Sequence, residues 1–177
     1  MGRRLSWVST RGWLLLAWLC LIGFPADSGS PTGPVGRYSV RAFTTQDGLP
    51  QNNIHALAMD QMGRLWVGTT EGAAYLDGAG WTSLDIPDGA ASNFVTAVLP
   101  ASDGSVWFGR QDGGVSRLFK GEWTTHTVAL GFVHPRVNAL AETTGANGQP
   151  IIWAGTHGAG VAKFEGGKWT VLNHKDG

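Results

Sequence analysis

From Ile54 onward, short apolar runs alternate with clusters of Gly, Asp and other polar residues. In the first stretch, Ile54–Met59 is apolar and mostly small, which suits an inner strand in a crowded place. Leu65-Trp66-Val67-Gly68 is aromatic and β-branched and predicts a second strand. Ala73–Leu76 and Trp81–Leu84 predict a third and a fourth. Between them stand Asp60-Gln61-Met62-Gly63, Thr70-Glu71-Gly72 and Asp77-Gly78-Ala79-Gly80. These are turn residues: Asp bonds its own backbone and Gly accepts positive φ. Strands of four to six residues separated by Gly-rich turns are an all-β pattern.

The pattern repeats. Trp66, Trp107 and Trp153 are 41 and 46 residues apart, and Trp81, Trp123 and Trp169 are 42 and 46 apart. A glycine follows the first Trp by two positions (Gly68, Gly109, Gly155), and another precedes the second Trp by nine (Gly72, Gly114, Gly160). The triplets Ala56-Leu57-Ala58, Ala97-Val98-Leu99 and Ala139-Leu140-Ala141 recur in register. A period of 40 to 50 residues with four strands matches one β-propeller blade. The Gly after Trp then marks close backbone approach between blades, and the Trp rings fill the gaps between them. Blade 1 is expected at about 46–87, blade 2 at 88–129 and blade 3 at 130–173, with a fourth beginning before 177. The third unit is longer, and the extra residues around Thr143–Pro150 are expected to lengthen a loop between its first two strands.

Composition agrees: 27 Gly, nine Trp and 15% charged residues suit turns and aromatic packing. Formal net charge is zero, so nothing points to nucleic acid, which wants a basic patch. The N-terminus differs from the rest. Arg3, Arg4 and Arg11 precede the apolar stretch Trp13–Phe24, and Ala26-Asp27-Ser28 follows with small residues. This is the pattern of a secretory signal over residues 1–28, the rival reading being an uncleaved anchor. Cys20 lies within it, and Leu19 in front of it argues against lipidation, so the exported chain has no disulfide. Residues 29–36 read as a flexible leader, and 37–177 hold the repeats.

One stretch is recognisable: Phe43-Thr44-Thr45-Gln46-Asp47-Gly48-Leu49-Pro50-Gln51-Asn52-Asn53-Ile54, followed by Asp60-Gln61-Met62-Gly63-Arg64-Leu65-Trp66-Val67-Gly68-Thr69. It resembles the two-component regulator propeller repeat, and the resemblance runs from about Val40 to the C-terminus. The second unit keeps Asp103-Gly104-Ser105-Val106-Trp107-Phe108-Gly109 but has Arg110 where Thr is usual. The third keeps Ile152-Trp153-Ala154-Gly155-Thr156 and replaces Asp-Gly-Leu-Pro with Leu130-Gly131-Phe132. The resemblance implies a periplasmic propeller in front of a membrane helix and a cytoplasmic output domain, often a histidine kinase. It also implies an extracellular ligand, a small molecule or oligosaccharide, and a receptor able to act as a homodimer.

Three blades do not close a ring, which takes about four to eight. The simplest account is the N-terminal part of a longer protein; a second is assembly from several chains. Val40–Thr44 aligns with the outer strand that precedes each later unit, and in a closed ring such a strand completes the last blade. The open end is expected to expose an unpaired apolar face.

Because strands run up and down in a blade, the loop leading into it and the turn between its second and third strands share one face. Asp47–Asn53, Asp88–Asn93 and Gly131–Arg136 supply the first kind, and Thr69–Glu71, Arg110–Asp112 and Thr156–His157 the second. Asn53, Arg110, Arg136 and His157 are the candidate ligand-binding residues there. The bland alternative for Arg110 is a surface pair with Glu71 or Asp112. His126 and His134 lack a third partner at metal spacing, and no metal or cofactor is expected. No Ser-His-Asp order, phosphate loop or carboxylate pair marks an enzyme. The leading expectation is therefore part of a periplasmic ligand-sensing propeller. The alternatives are a propeller-type extracellular enzyme such as a lyase, or a non-functional fragment.

Overall fold

Among the described residues, twelve strands form three sheets of four, each antiparallel and each wound in chain order. The first sheet contains β1 (Ile54–Met59), β2 (Leu65–Thr69), β3 (Gly72–Asp77) and β4 (Gly80–Leu84). The second contains β5 (Val95–Pro100), β6 (Val106–Arg110), β7 (Val115–Phe119) and β8 (Glu122–His126). The third contains β9 (Val137–Thr144), β10 (Pro150–Thr156), β11 (Val161–Glu165) and β12 (Lys168–Leu172). The computed structural model describes residues 39–87 and 93–173. The signal segment 1–28, the leader 29–36 and the start of a fourth blade at 175–177 lie outside the described residues.

The first strands β1, β5 and β9 lie side by side, so the sheets radiate from a common inner edge. Each of these strands opens on a bulge in the same register, after Ile54, Val95 and Val137. The bulge twists the strand where it meets its neighbour.

Two apolar cores lie between sheets. Between blades 1 and 2, Trp66, Ala73 and Ile86 meet Val95, Val106 and Phe108. Between blades 2 and 3, Trp107 and Val115 meet Val137, Ile152, Ala154 and Ala162. Trp66 stands edge-on to Phe108 at 5.9 Å, and Trp107 edge-on to Trp169 at 6.2 Å. The expected close approach is present at Gly68 and Gly109: a Cβ would stand 2.6 Å from Val95 Cγ1 at the first and 2.9 Å from Val137 Cγ1 at the second. Nothing larger than glycine fits there without moving the next blade.

The indole N–H of the first Trp in each blade finds an acceptor, a different one each time. Trp66 Nε1 donates to Asp60 Oδ2 at 2.9 Å, Trp107 Nε1 to Ser105 Oγ at 2.9 Å, and Trp153 Nε1 to Thr143 Oγ1 at 2.8 Å. Asp60 also accepts from Met62 N, Arg64 N and Arg64 Nε, so one carboxylate closes the β1–β2 turn and anchors the Trp.

The extra residues of blade 3 do more than lengthen a loop. β9 and β10 extend to Thr144 and back to Pro150, paired Pro150 to Thr144, Ile151 to Thr143 and Ile152 to Glu142. The insertion continues the ladder and leaves a tight turn, Gly145 N bonding Gln149 O at 2.8 Å. Continued pairing satisfies backbone groups that a loop would leave to water.

Arg41–Thr44 forms no strand here. Thr44 caps a short 3-10 turn at Thr45–Asp47 through a reciprocal capping box. Leu49 packs on Val67, Ala74 and Trp81. Phe43 lies edge-on to Trp81 at 5.7 Å.

Candidate functional site

The lead-in loops and the β2–β3-type turns do share one face, and hydrogen bonds join them. Gln111 N donates to Phe94 O at 3.0 Å and His157 N to Arg136 O at 3.1 Å. Gly114 N reaches across the blade boundary to Pro135 O at 2.7 Å. In blade 1, Gln51 Nε2 contacts Glu71 Oε1 at 3.4 Å. Of the loop Asp88–Asn93, only Asn93 is among the described residues.

Arg136 and His157 are brought together by that backbone bond, with His134 beside them. His134 Nδ1 accepts the Arg136 N–H at 3.1 Å and lies 3.3 Å from Arg136 O. The two imidazole rings are 6.3 Å apart. Arg136 Nε donates to Asn138 Oδ1 at 3.2 Å. This gives one guanidinium, two imidazoles and an amide on a rigid ledge between the second and third blades. Sequence reasoning set His134 aside because it looked only for metal spacing; its place two residues before Arg136 in the same loop was the available signal.

Asn53 is exposed just before β1. Its neighbour Asn52 does the local structural work, accepting Thr45 N at 2.9 Å. Arg110 does not stand on a loop. It is the last residue of β6, paired with Val95, and it is fully buried. Thr69 and Thr156 hold the same register in the other blades, and each hydroxyl ties its turn by donating to Gly72 O and Gly160 O. In blade 2 the guanidinium lies against Gly113, where a Cβ would stand 2.8 Å from Cζ, and Nη2 donates to Asn93 Oδ1 at 3.3 Å. Burial pushes its pKa down, and the charge of Asp112 works against that.

Among the described residues, two recesses lie on the opposite face, at the β1–β2-type turns. One of about 340 Å³ lies between blades 1 and 2, beside Asp60, Arg64 and Ser102. One of about 210 Å³ lies between blades 2 and 3, beside Asp103, Arg117, Asn147 and Gln149. Burial raises the Asp103 carboxyl, but hydrogen bonds from Ser105 and the nearby Arg117 outweigh it and hold the pKa below the ordinary value. Arg117 Nη2 meets Asp103 Oδ2 at 2.8 Å. Among the described residues no group of three or more His, Cys, Asp or Glu could hold a metal ion, and no helix is long and apolar enough to cross a membrane.

Four-stranded sheets radiating from an inner edge and pressed together through Trp and Gly define an array of β-propeller blades. Residues 48–71 match the family described as "Two component regulator propeller", so the chain carries a repeat of that family. Among solved structures it is similar to the extracellular domain assigned to the hybrid two component system BT3049 of B. thetaiotaomicron, with 20% identity and TM-score 0.62 over 77% of this chain and 19% of that one. It is likewise similar to the extracellular domain assigned to BT4673 of the same organism, with 21% identity and TM-score 0.60 over 75% of this chain and 18% of that one. The chain thus spans about a fifth of the length of these structures. No curated protein matches it.

Proposed function

We propose that the chain is part of the ligand-sensing propeller of a periplasmic receptor of the two-component type. Its signal passes to a membrane-linked output domain supplied from outside these residues, within a receptor that acts as a homodimer. The observation that carries this reading is the regulator-propeller repeat at 48–71 standing within a stacked array of blades. The ledge of Arg136, His157 and His134 suits a small oligosaccharide, because a planar cation and imidazole N–H groups donate to hydroxyl and carboxylate oxygens. Asn53 adds an exposed amide at the first lead-in loop. Arg110 supports the same face from beneath by holding Asn93.

The reading is tested by titrating a panel of purified oligosaccharides, neutral and uronate-containing, into the protein and measuring heat. At least one is expected to bind, and Arg136→Ala together with His157→Ala is expected to weaken it about tenfold or more, roughly one lost charge-assisted contact. Binding unaffected by both substitutions would remove the ledge from the account. Binding by none of the panel would count against an oligosaccharide ligand.

A further inference from the structure

The recess between blades 2 and 3 has a wall that the recess between blades 1 and 2 lacks, and the insertion in blade 3 builds it. In blades 1 and 2 the first hairpin ends one residue pair beyond the Trp, at Met59 with Leu65 and at Pro100 with Val106. In blade 3 the ladder runs three pairs beyond Trp153, to Thr144 with Pro150. Two extra pairs carry the turn about 7 Å further along the strands. Asn147 and Gln149 of that turn line the recess of about 210 Å³. Blade 2 contributes Asp103 and Arg117, and the start of the β11–β12 turn contributes Glu165. Phe164 and Pro150 add apolar surface.

Asp103 and Arg117 are fixed by the protein itself. Asp103 accepts from Ser105 N and Ser105 Oγ through Oδ1, and from Arg117 Nη2 through Oδ2. The guanidinium lies over the Trp107 ring at 5.2 Å and the Phe119 ring at 4.7 Å. Groups held in place this way need little further ordering when a ligand arrives. The hairpin groups are free by contrast. Asn147 Oδ1 accepts Gln149 N at 3.0 Å and so fixes the turn, while Asn147 Nδ2 and the Gln149 side-chain amide make no hydrogen bond among the described residues. Glu165 holds Lys163 through Oε2 at 2.6 Å, which leaves Oε1 to accept.

We propose that this recess is a binding site for a single uncharged sugar ring, separate from the ledge on the opposite face. Its groups are mixed: amides and the guanidinium donate, and carboxylates only accept. A hydroxyl does both, so a ring with hydroxyls on adjacent carbons answers each of them. Every charge in the lining already has a partner, Asp103 with Arg117 and Glu165 with Lys163. An ionic ligand must compete with those pairs, whereas a neutral one adds to them. The volume falls below the roughly 300–1,000 Å³ of drug-sized sites, which leaves room for one ring. Phe164 and Pro150 meet its C–H groups. None of these residues belongs to the ledge, so the two sites stand or fail separately.

Nuclear magnetic resonance of the isotope-labelled full chain tests this. The probes are glucose, galactose, mannose and xylose, with galacturonate and glucosamine as charged controls, each to tens of millimolar. At least one neutral sugar is expected to shift the Asn147 and Gln149 side-chain amide signals saturably, with a Kd of about 1 mM, and to bind more tightly than both charged controls. Gln149→Ala and Glu165→Ala are each expected to weaken it about threefold or more, the scale of one hydrogen bond. Tm should not change, because both side chains are exposed. No saturable shift with any neutral sugar, or variants that bind like wild type, would overturn the site. A charged control that binds there as tightly as the neutral sugars would overturn the uncharged ligand. Shifts confined to Arg136 and His157 would remove this site and leave the ledge standing.

Discussion

Blade 2 and blade 3 present nearly the same surface toward the blade that follows, yet among the described residues one is closed over by a sheet and the other is not. Trp107, Gly109 and Val115 of blade 2 are closed over by blade 3, and Trp107 is 2% exposed. Trp153, Gly155 and Val161 of blade 3 hold the same register, and among the described residues no sheet packs over them; the Lys163 ammonium lies 5.8 Å from the Trp153 ring. The residues that define a blade therefore do most of their stabilising between blades. A single four-stranded sheet forms its ladder alone but buries its large aromatic only against the next sheet. This follows the nearest-neighbour logic of repeat arrays, in which stability resides largely in the contacts between units.

The largest expected effect is at the covered Trp. Trp107→Ala should lower the unfolding free energy by roughly 3–5 kcal/mol in urea titrations, because it empties a fully enclosed aromatic site. A loss below about 1 kcal/mol would mean that the ring is exposed and the blades do not pack as described. Next is Asp60→Ala, which removes the acceptor of Trp66 Nε1 and two turn amides. It should lower stability by about 1–3 kcal/mol, the range for leaving buried donors unmade. Replacing Asp103 tests the same kind of anchor at blade 2, where Ser105 relays between the carboxylate and Trp107.

A pH effect of smaller size separates the covered face from the bare one. His126 stacks on Trp107 at 5.9 Å and lies close to Phe164 and Trp169. Burial, then the Arg117 charge, holds its pKa below the ordinary value. The folded state thus binds its proton less readily than the unfolded chain. Stability is full above the unfolded value of about 6.5 and falls as pH drops through and below it. Urea midpoints from about pH 7.5 to 5.5 should fall in wild type and flatten in His126→Phe. An unchanged slope in that variant would assign the effect elsewhere. Asp60 and Asp103 act in a lower window: their depressed pKa values give stability that is present above about pH 4 and lost below it. The smallest expected change is Trp153→Ala, about 1 kcal/mol or less in the 177-residue chain, since no following sheet among the described residues encloses the ring.

Much of this fold is legible in the sequence, because propeller packing writes itself at fixed intervals. The Trp66/Trp107/Trp153 and Gly68/Gly109/Gly155 registers state both the strand and its close contact. The four strands of the first unit can be read from alternating apolar runs and Asp-Gly turns alone. What eludes such reading depends on side chains filling space rather than on period. Arg110 reads as a surface cation because it follows a Trp-Phe-Gly strand and precedes a turn. Only the three-dimensional juxtaposition of Gly113 and Asn93 shows that it is enclosed. The insertion at Thr143–Pro150 reads as a loop because Thr, Gly and Asn dominate it, yet pairing across the hairpin extends the ladder regardless of propensity. The ledge of His134, Arg136 and His157 joins two loops some twenty residues apart, and local patterns carry no sign of that juxtaposition.

The glycine pair tests the central claim, that the repeat glycines mark the contact between successive blades. Gly109→Val and Gly155→Val are the same substitution in the same register of successive blades. Urea unfolding of the two variants in dilute solution isolates the presence of a following blade. Gly109→Val should lose about 1–3 kcal/mol or more by forcing Val137, and blade 3 with it, away from blade 2. Gly155→Val should stay within about 0.5 kcal/mol of wild type or gain slightly, as valine favours a strand. Equal losses at the two positions would contradict the account.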